Sequence, residues 1–440
     1  MSPAPTRRHA LLGTASIALI SGLGGVLLPN SAFACHSYKS KSDGQTGCAA
    51  YKRDQAGGAS SGASSKTASK PQTTSTASSD TQESSGDPEV SGRTIRVSSS
   101  SQLRSALASA GPGNRIELAN GTYSGNFAIT TSGTKSNPIL IESASRLGAE
   151  LRSDLDIRGD HVVVSGLSFK SAAVNLRAHN CRVTRCYFNG GGTTISVRGA
   201  DNAEIDHNEI TNWSGRGVDF DPEEERRQGL RPHIYRNYFH DSKGASDNTA
   251  IGIGQHSRHH SFMVGALVEY NLCINIPGYK GIFCKSSGNT IRYNTMIDCQ
   301  GMVNRHGYKN KYIGNWLENS LDLIINDDDC LAEGNKLINC KNGLRIMAGN
   351  ITSSQVPSQN AGYPYADGCQ IINNETSLIQ VGMTYSGWKR TYPALNTILS
   401  GNTGRVKLQT ERGTKIASSG QSSAGKAAVK LRPNQVGPRS

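Results

Sequence analysis

The sequence predicts an all-β protein: a single-stranded right-handed parallel β-helix with an N-terminal helical cap. Short runs of alternating apolar residues recur at a base period of about 20 to 23, each ending at a turn-prone Gly or Asn. The runs are roughly five to eight residues long and rich in β-branched and aromatic types, too short for helices and right for strands. Forty-nine glycines, with only 35% apolar and 6% aromatic residues, describe a turn-rich chain rather than a helical globule.

The chain opens on an export leader at residues 1–34. Arg7 and Arg8 precede an apolar run to Leu28, and Ala32-Phe33-Ala34 supplies small residues for cleavage. The paired arginines resemble a twin-arginine signal. Ala32 stands where a lipobox has Leu, which disfavours lipidation of Cys35. The mature protein is therefore expected in the periplasm or outside the cell. Ten cysteines in an exported chain permit disulfides, and a Cys35–Cys48 bridge is expected. No pair has CxxC spacing, and most of the others sit in apolar runs as small buried hydrophobes.

Residues 35–93 hold this Cys pair and a Ser/Thr-rich linker too poor in large apolar residues to fold. Ser100 to Leu107 then reads as a short helix with a Ser N-cap, suited to closing an open solenoid end. The repeats follow at 162–169, 183–188, 205–210, 234–239, 268–273, 291–296, 312–317 and 332–337. Most carry Asn at one turn (208, 237, 271, 294, 315, 335), so stacked coils can form an amide ladder. Leucine-rich repeats would need a Leu signature that is missing, and propeller blades would need about 40 residues. The β-helix is bounded at 94–404, and 405–440 reads as a basic disordered tail.

A net charge of +13 invites a nucleic-acid reading, but its distribution excludes one. The tail from 405 carries eight bases against Glu411, and about +3 remains for residues 94–404. A mildly basic body suits an acidic ligand. An acidic polysaccharide as partner is what the family resemblance of the next residues implies; a monomer with no nucleic acid and no membrane span is expected.

Lys285-Ser286-Ser287-Gly288-Asn289, followed by Asn304-Arg305-His306-Gly307, resembles the signature of the polysaccharide lyases that comprise alginate lyases and chondroitinase B. Gly111 to Tyr123, Val163 to Phe169 and Gly343-Leu344-Arg345-Ile346 are similar to other parts of that family. The resemblance implies β-elimination on a uronic-acid polymer, alginate-like, with Lys285 as base and Arg305 as acid or stabiliser. The substrate-binding set expected here is Lys280, His306, Arg345 and Asn248, of which Lys280 is a departure from the family's pattern. In the family a calcium ion held by an Asn and two acidic residues often neutralises the substrate carboxylate. The acidic places, seven and five residues before the lysine, are Gly278 and Lys280 here. Without those carboxylates calcium is not expected to bind, and no metal or other cofactor is expected. Lys280 could supply the positive charge itself, with Asn248 the survivor of the ligand set.

The residues make chemical sense without the family. Lys285 lies nine residues before Asn294 and Arg305 ten before Asn315, so the two should stack on successive coils. Two adjacent cations repel, which favours the neutral amine a base requires. Other constellations weigh less. Asp327-Asp328-Asp329 reads as a polar turn before it reads as a hydrolase dyad, the histidines of 255–260 fit substrate contact better than metal, and 221–227 reads as a solvated loop. The alternatives to a lyase are a noncatalytic polysaccharide-binding or envelope β-helix and a β-helical glycoside hydrolase.

Overall fold

The computed structural model describes residues 38–39, 46–47, 90–223, 229–244, 247–356, 362–385, 391–417 and 427–438. The leader, the Cys35–Cys48 pair, almost all of the linker and residues 224–228 lie outside the described residues. The chain divides into residues 1–82 and 83–440. Of the first unit the description covers one antiparallel pair, Tyr38–Lys39 with Thr46–Gly47.

The second unit is a parallel β-helix of three long sheets. The first sheet runs from Thr94–Val97 through Val162–Ser165 and Thr290–Arg292 to Lys415–Ala417. The second runs from Gly121–Tyr123 to Glu375–Thr376, and the third from Phe127–Ile129 to Arg405–Leu408. From Arg115 to Met383 each coil contributes one strand to each sheet, in register with its neighbours. Val183, Ile205, Ile234, Val268, Ile291 and Tyr312 thus form one buried inward column. Such columns from all three sheets meet in one continuous apolar core. Among the described residues no helix is long and apolar enough to cross a membrane.

The recurring Asn forms the expected ladder. Asn208, Asn237, Asn271, Asn294, Asn315, Asn335 and Asn374 are buried, and each Nδ2 from Asn208 to Asn335 donates to the Oδ1 of the next at 2.8–3.1 Å. The chain can turn there because the residue before each Asn is left-handed: His207, Arg236, Tyr270 and Tyr293 have φ of 53–54°, and glycine takes the same place at 314 and 334. For a non-glycine residue that conformation costs about 1 kcal/mol, which the buried amide bonds offset.

The single α-helix among the described residues, Ser100–Ser109, buries Leu103, Ala106 and Leu107 against the first coil, and its N-cap Ser99 accepts from Gln102 N. Eight cysteines, from Cys181 to Cys369, are buried free thiols.

The boundary at 404 and the expectation of a disordered tail need correction. Arg405–Leu408 extends the third sheet beside Leu378–Met383, and Lys415–Ala417 extends the first beside Ile398–Ser400. Residues 427–438 fold back onto the second sheet, where Leu431 and Val436 are buried against Leu272. Lys430 pairs with Glu318 at 2.7 Å, and Leu431 N donates to Thr295 Oγ1 at 2.9 Å. Polar composition hid two apolar anchors, which find an outward patch of Tyr238, Tyr270, Ile274 and Ile297.

Candidate active site

The third sheet positions the site. In its strands Lys280–Cys284 and Met302–Asn304, Cys284 is in register with Asn304. Lys285 and Arg305 each follow these residues directly, so the chain stacks them. Lys285 N donates to Ile253 O at 2.8 Å and Arg305 N to Cys284 O at 2.9 Å, continuing the ladder by one rung. This is the arrangement the Asn spacing implied.

The outward column beside this pair reads Asp219, Gly252, Phe283, Val303, Ile324, Arg345 and Gln380. It gives the face an apolar middle, where Phe283, Val303 and Ile324 pack with Met347, Tyr279, Met383 and Tyr385. The Lys285 ammonium stands 5.3 Å from the Phe283 ring centroid, with the Arg216 guanidinium 5.7 Å from the same ring. Lys285 Nζ donates to the carbonyl of Gln255 at 2.8 Å. The Gln255 side chain in turn bonds the buried carboxylate of Asp219, which also holds Arg216. Burial, then the charges of Arg305 and Arg216, lower the Lys285 ammonium to about 8.

Arg305 stacks over Tyr363 with 4.9 Å from guanidinium to ring centroid, and its charge opposes the rise that burial imposes on the Tyr279 phenol. His306 is fully buried beneath it. Its Nε2 lies 3.0 Å from Ser257 Oγ, and its ring stacks on Tyr363 at 5.9 Å. Burial and the neighbouring cations push its pKa to about 2, so His306 is neutral at physiological pH.

Lys280 does not present a free ammonium. It is buried, and Nζ donates to Asp322 Oδ1 at 2.6 Å and to Gln300 O at 2.7 Å. Arg345 Nη1 donates to the other Asp322 oxygen at 3.0 Å, joined by Asn342 Nδ2 at 3.2 Å. Direct supply of charge to a substrate by Lys280 is therefore corrected to an internal pair. The folding reason is that Lys280 reaches two coils on, to a carboxylate that would otherwise be buried with fewer cations.

These residues do not fit a divalent cation. Gly278 has no side chain, Lys280 brings a positive charge, and both oxygens of Asp322 are taken. Asn248 is buried with Nδ2 donating to Trp213 O at 3.0 Å, and its unpartnered Oδ1 is one neutral donor where several charged ones are needed. Among the described residues no group of three or more His, Cys, Asp or Glu could hold a metal.

The lesser constellations are structural. Asp327 accepts from Gly307 N at 2.6 Å and lies 2.8 Å from His260 Nε2, so it braces the Arg305-His306-Gly307 turn. Asp328 caps Asp367 N, and Asp329 sits exposed in the turn. His259 and His260 fall on a short 3-10 helix, Ser257–Ser261, which His256 caps, and burial lowers His259 to about 4. Sequence reasoning missed Arg216, Asp219, Phe283, Tyr279, Tyr363 and Asp322. They come from four coils, and only the stacking of those coils brings them together.

A parallel β-helix whose third sheet carries a lysine of lowered pKa stacked beside an arginine fits one class of protein, the parallel β-helix polysaccharide lyases. The family model described as Chondroitinase B matches residues 97–341, more than half of the 440 residues, and the chain belongs to that family. No match is found among curated proteins. Similar solved structures include a mannuronic acid specific polysaccharide family 6 lyase from human gut microbiota. It is 20% identical, with a TM-score of 0.61 over 72% of this chain and 82% of that one. The PL6 family alginate lyase AlyGC is 22% identical with a TM-score of 0.61, over 74% of this chain and 53% of its own, so this chain spans about half its length. A PL6 family polysaccharide lyase from Pseudopedobacter saltans is 15% identical with a TM-score of 0.60, over 79% and 99%. At these identities the likeness is one of fold.

Proposed function

We propose that this protein is an exported lyase that cleaves a uronic-acid polysaccharide, alginate-like, by β-elimination. The observation that carries the reading is the stacking of Lys285 on Arg305 at the edge of the third sheet. Lys285 as a neutral amine removes the proton at C5 of the uronate, and its lowered pKa makes that form accessible near neutrality. Arg305, always charged, stabilises the enolate that develops on the carboxyl group. Breaking the C4–O4 bond then yields a C4–C5 double bond and a free sugar hydroxyl. His306, buried against Ser257 and Tyr363, anchors the turn that carries Arg305, while Arg345 lies on the outward column beside the pair. The alginate lyases among the structural neighbours support a mannuronate or guluronate polymer. The Arg7-Arg8 leader supports action outside the cytoplasm.

Incubation of the mature protein with alginate, dermatan sulfate, glucuronan and polygalacturonate tests this reading. Ultraviolet absorbance of the unsaturated uronate should appear on one or more polymers, alginate first. Binding without new absorbance would favour a noncatalytic polysaccharide-binding β-helix, and new reducing ends without absorbance would favour a hydrolase.

A further inference from the structure

The eight buried cysteines have no part in the proposed elimination, and two of them differ from the rest in placement. Cys330 and Cys369 immediately precede the strands Leu331–Glu333 and Gln370–Ile372, whose first residues are register partners. Gln370 N donates to Cys330 O at 2.9 Å, so the two cysteines hold the same place on successive coils. No other two of the eight do. Cys181 is followed on the next coil by Ala203, Cys186 by Asn208, Cys273 by Met296 and Cys284 by Asn304, while Ser320 separates Cys299 from Cys340.

Side chains in this column touch from one coil to the next. Asn289 and Asn310 lead into it, and Asn289 Nδ2 donates to Asn310 Oδ1 at 3.1 Å. Leu331 N donates to Asn310 O at 2.9 Å, which sets Cys330 on the rung after Asn310. Rungs rise by about 4.8 Å, within the Cα separation that a disulfide spans. The two thiols donate to consecutive carbonyls, Cys369 Sγ to Asp327 O at 3.2 Å and Cys330 Sγ to Asp328 O at 3.4 Å, so the sulfurs lie together.

We infer that Cys330 and Cys369 form a disulfide when the chain folds in the presence of a disulfide oxidant, glutathione disulfide or the disulfide of a thiol oxidoreductase. An exported chain meets such oxidants. The exchange balances. The thiolate of one cysteine attacks the oxidant and displaces a first thiolate, the second cysteine attacks the mixed disulfide and displaces the other, and the two cysteine protons end on the released thiols. The bond closes a loop over residues 331–368, the stretch from which Tyr363 reaches Arg305. It also lies behind the turn that carries Arg305: Cys330 Sγ is 3.7 Å from Gly307 O and accepts from Asn304 Nδ2 at 3.3 Å. Closing the loop restricts the unfolded chain, so the oxidised protein is the more stable form. The inference is independent of the lyase reading.

The test unfolds the full chain in denaturant and refolds it in parallel with glutathione disulfide and with reduced glutathione. Free thiols are then blocked, and the digest is mapped by mass spectrometry without reduction. The oxidised sample should yield a peptide linking Cys330 to Cys369, and its Tm should exceed that of the reduced sample by several degrees. Cys330→Ala and Cys369→Ala should each abolish both the linked peptide and the Tm difference between the two conditions, whatever either substitution does to stability by itself. Blocked thiols or glutathione adducts at both positions in the oxidised sample, or a link from either cysteine to a different one, would overturn the inference. A linked protein that melts no higher than the reduced one would overturn its stabilising role. Should refolding fail, native protein held with glutathione disulfide near its Tm gives the same map. Absence of double-bond formation on every polymer would end the lyase reading and leave this result standing.

Discussion

Lys280 and Asp322 meet at 2.6 Å two coils apart, both buried, with Arg345 on the opposite carboxylate oxygen. In this chain a fixed ammonium therefore occupies the place where related lyases are expected to bring acidic ligands for a cation. Activity should survive EDTA, and titration calorimetry should detect no tight calcium binding. Inactivation by EDTA with recovery in calcium would show that a metal is held by ligands elsewhere.

Reversing the charge at this position gives a sharper outcome. Lys280→Glu would set a second carboxylate facing Asp322 where an ammonium now stands, the kind of oxygen pair that calcium accepts. The variant should melt well below the wild type, since breaking a buried ion pair costs about 3–5 kcal/mol. Millimolar calcium should then raise its Tm while leaving the wild type unmoved. An equal calcium response in both proteins would contradict the assignment.

The pH profile follows from the Lys285 amine. With its pKa lowered to about 8, about half is neutral near pH 8 and about a hundredth at pH 6, so kcat/KM should rise through this range. Arg216→Gln removes one of the two lowering charges and should move the rising limb to higher pH. The linkage sign is fixed as well. Between about pH 8 and the ordinary lysine value the unfolded chain holds more protons, so this residue's contribution to stability grows with pH. Denaturation midpoints of Lys285→Met should lack that increment.

The asparagine ladder should behave as a chain of buried hydrogen bonds rather than as surface decoration. Asn315→Ala removes the acceptor of Asn294 Nδ2 and the donor to Asn335 Oδ1, at a cost of about 1–3 kcal/mol for each buried group left unsatisfied. Asn339→Gly, which removes an amide bonded to Asn319 on the exposed face and suits the left-handed φ of 52°, should cost less than about 0.5 kcal/mol. Urea midpoints of the two variants provide the comparison.

Removing residues 427–440 should destabilise the protein although they follow the last coil. Leu431 and Val436 each bury an apolar side chain worth about 1.5–3 kcal/mol. Leu431→Asp should reproduce much of the loss in Tm. An unchanged Tm for both would mean that the segment does not dock in solution.

Much of this structure was legible in the sequence because a coil repeats its own geometry. The Asn at 271, 294 and 315 marks the same turn each time, so counting back from it was enough to stack Lys285 on Arg305. The helix at 100–109 announced itself through its Ser cap and apolar face. What stayed hidden depends on side chains reaching between coils. Lys280 could be placed on its strand, but nothing local shows that its ammonium turns to Asp322, 42 residues away. Tyr363 lies beyond the repeats that count, and its stacking on Arg305 and His306 is visible only in space. The docked segment escaped because Val429, Leu431 and Val436 stand among basic, amide and proline residues that lower the average of their window.

The central claim is that Lys285, stacked on Arg305, is the base that removes the C5 proton. The most direct test is Lys285→Met, checked for unchanged folding by circular dichroism and assayed for unsaturated uronate on the best polymer substrate. The expected result is a loss of at least about 10²-fold in kcat with KM little changed, and no C5 deuterium exchange in heavy water. A folded Lys285→Met that forms the double bond at the wild-type rate would contradict the account.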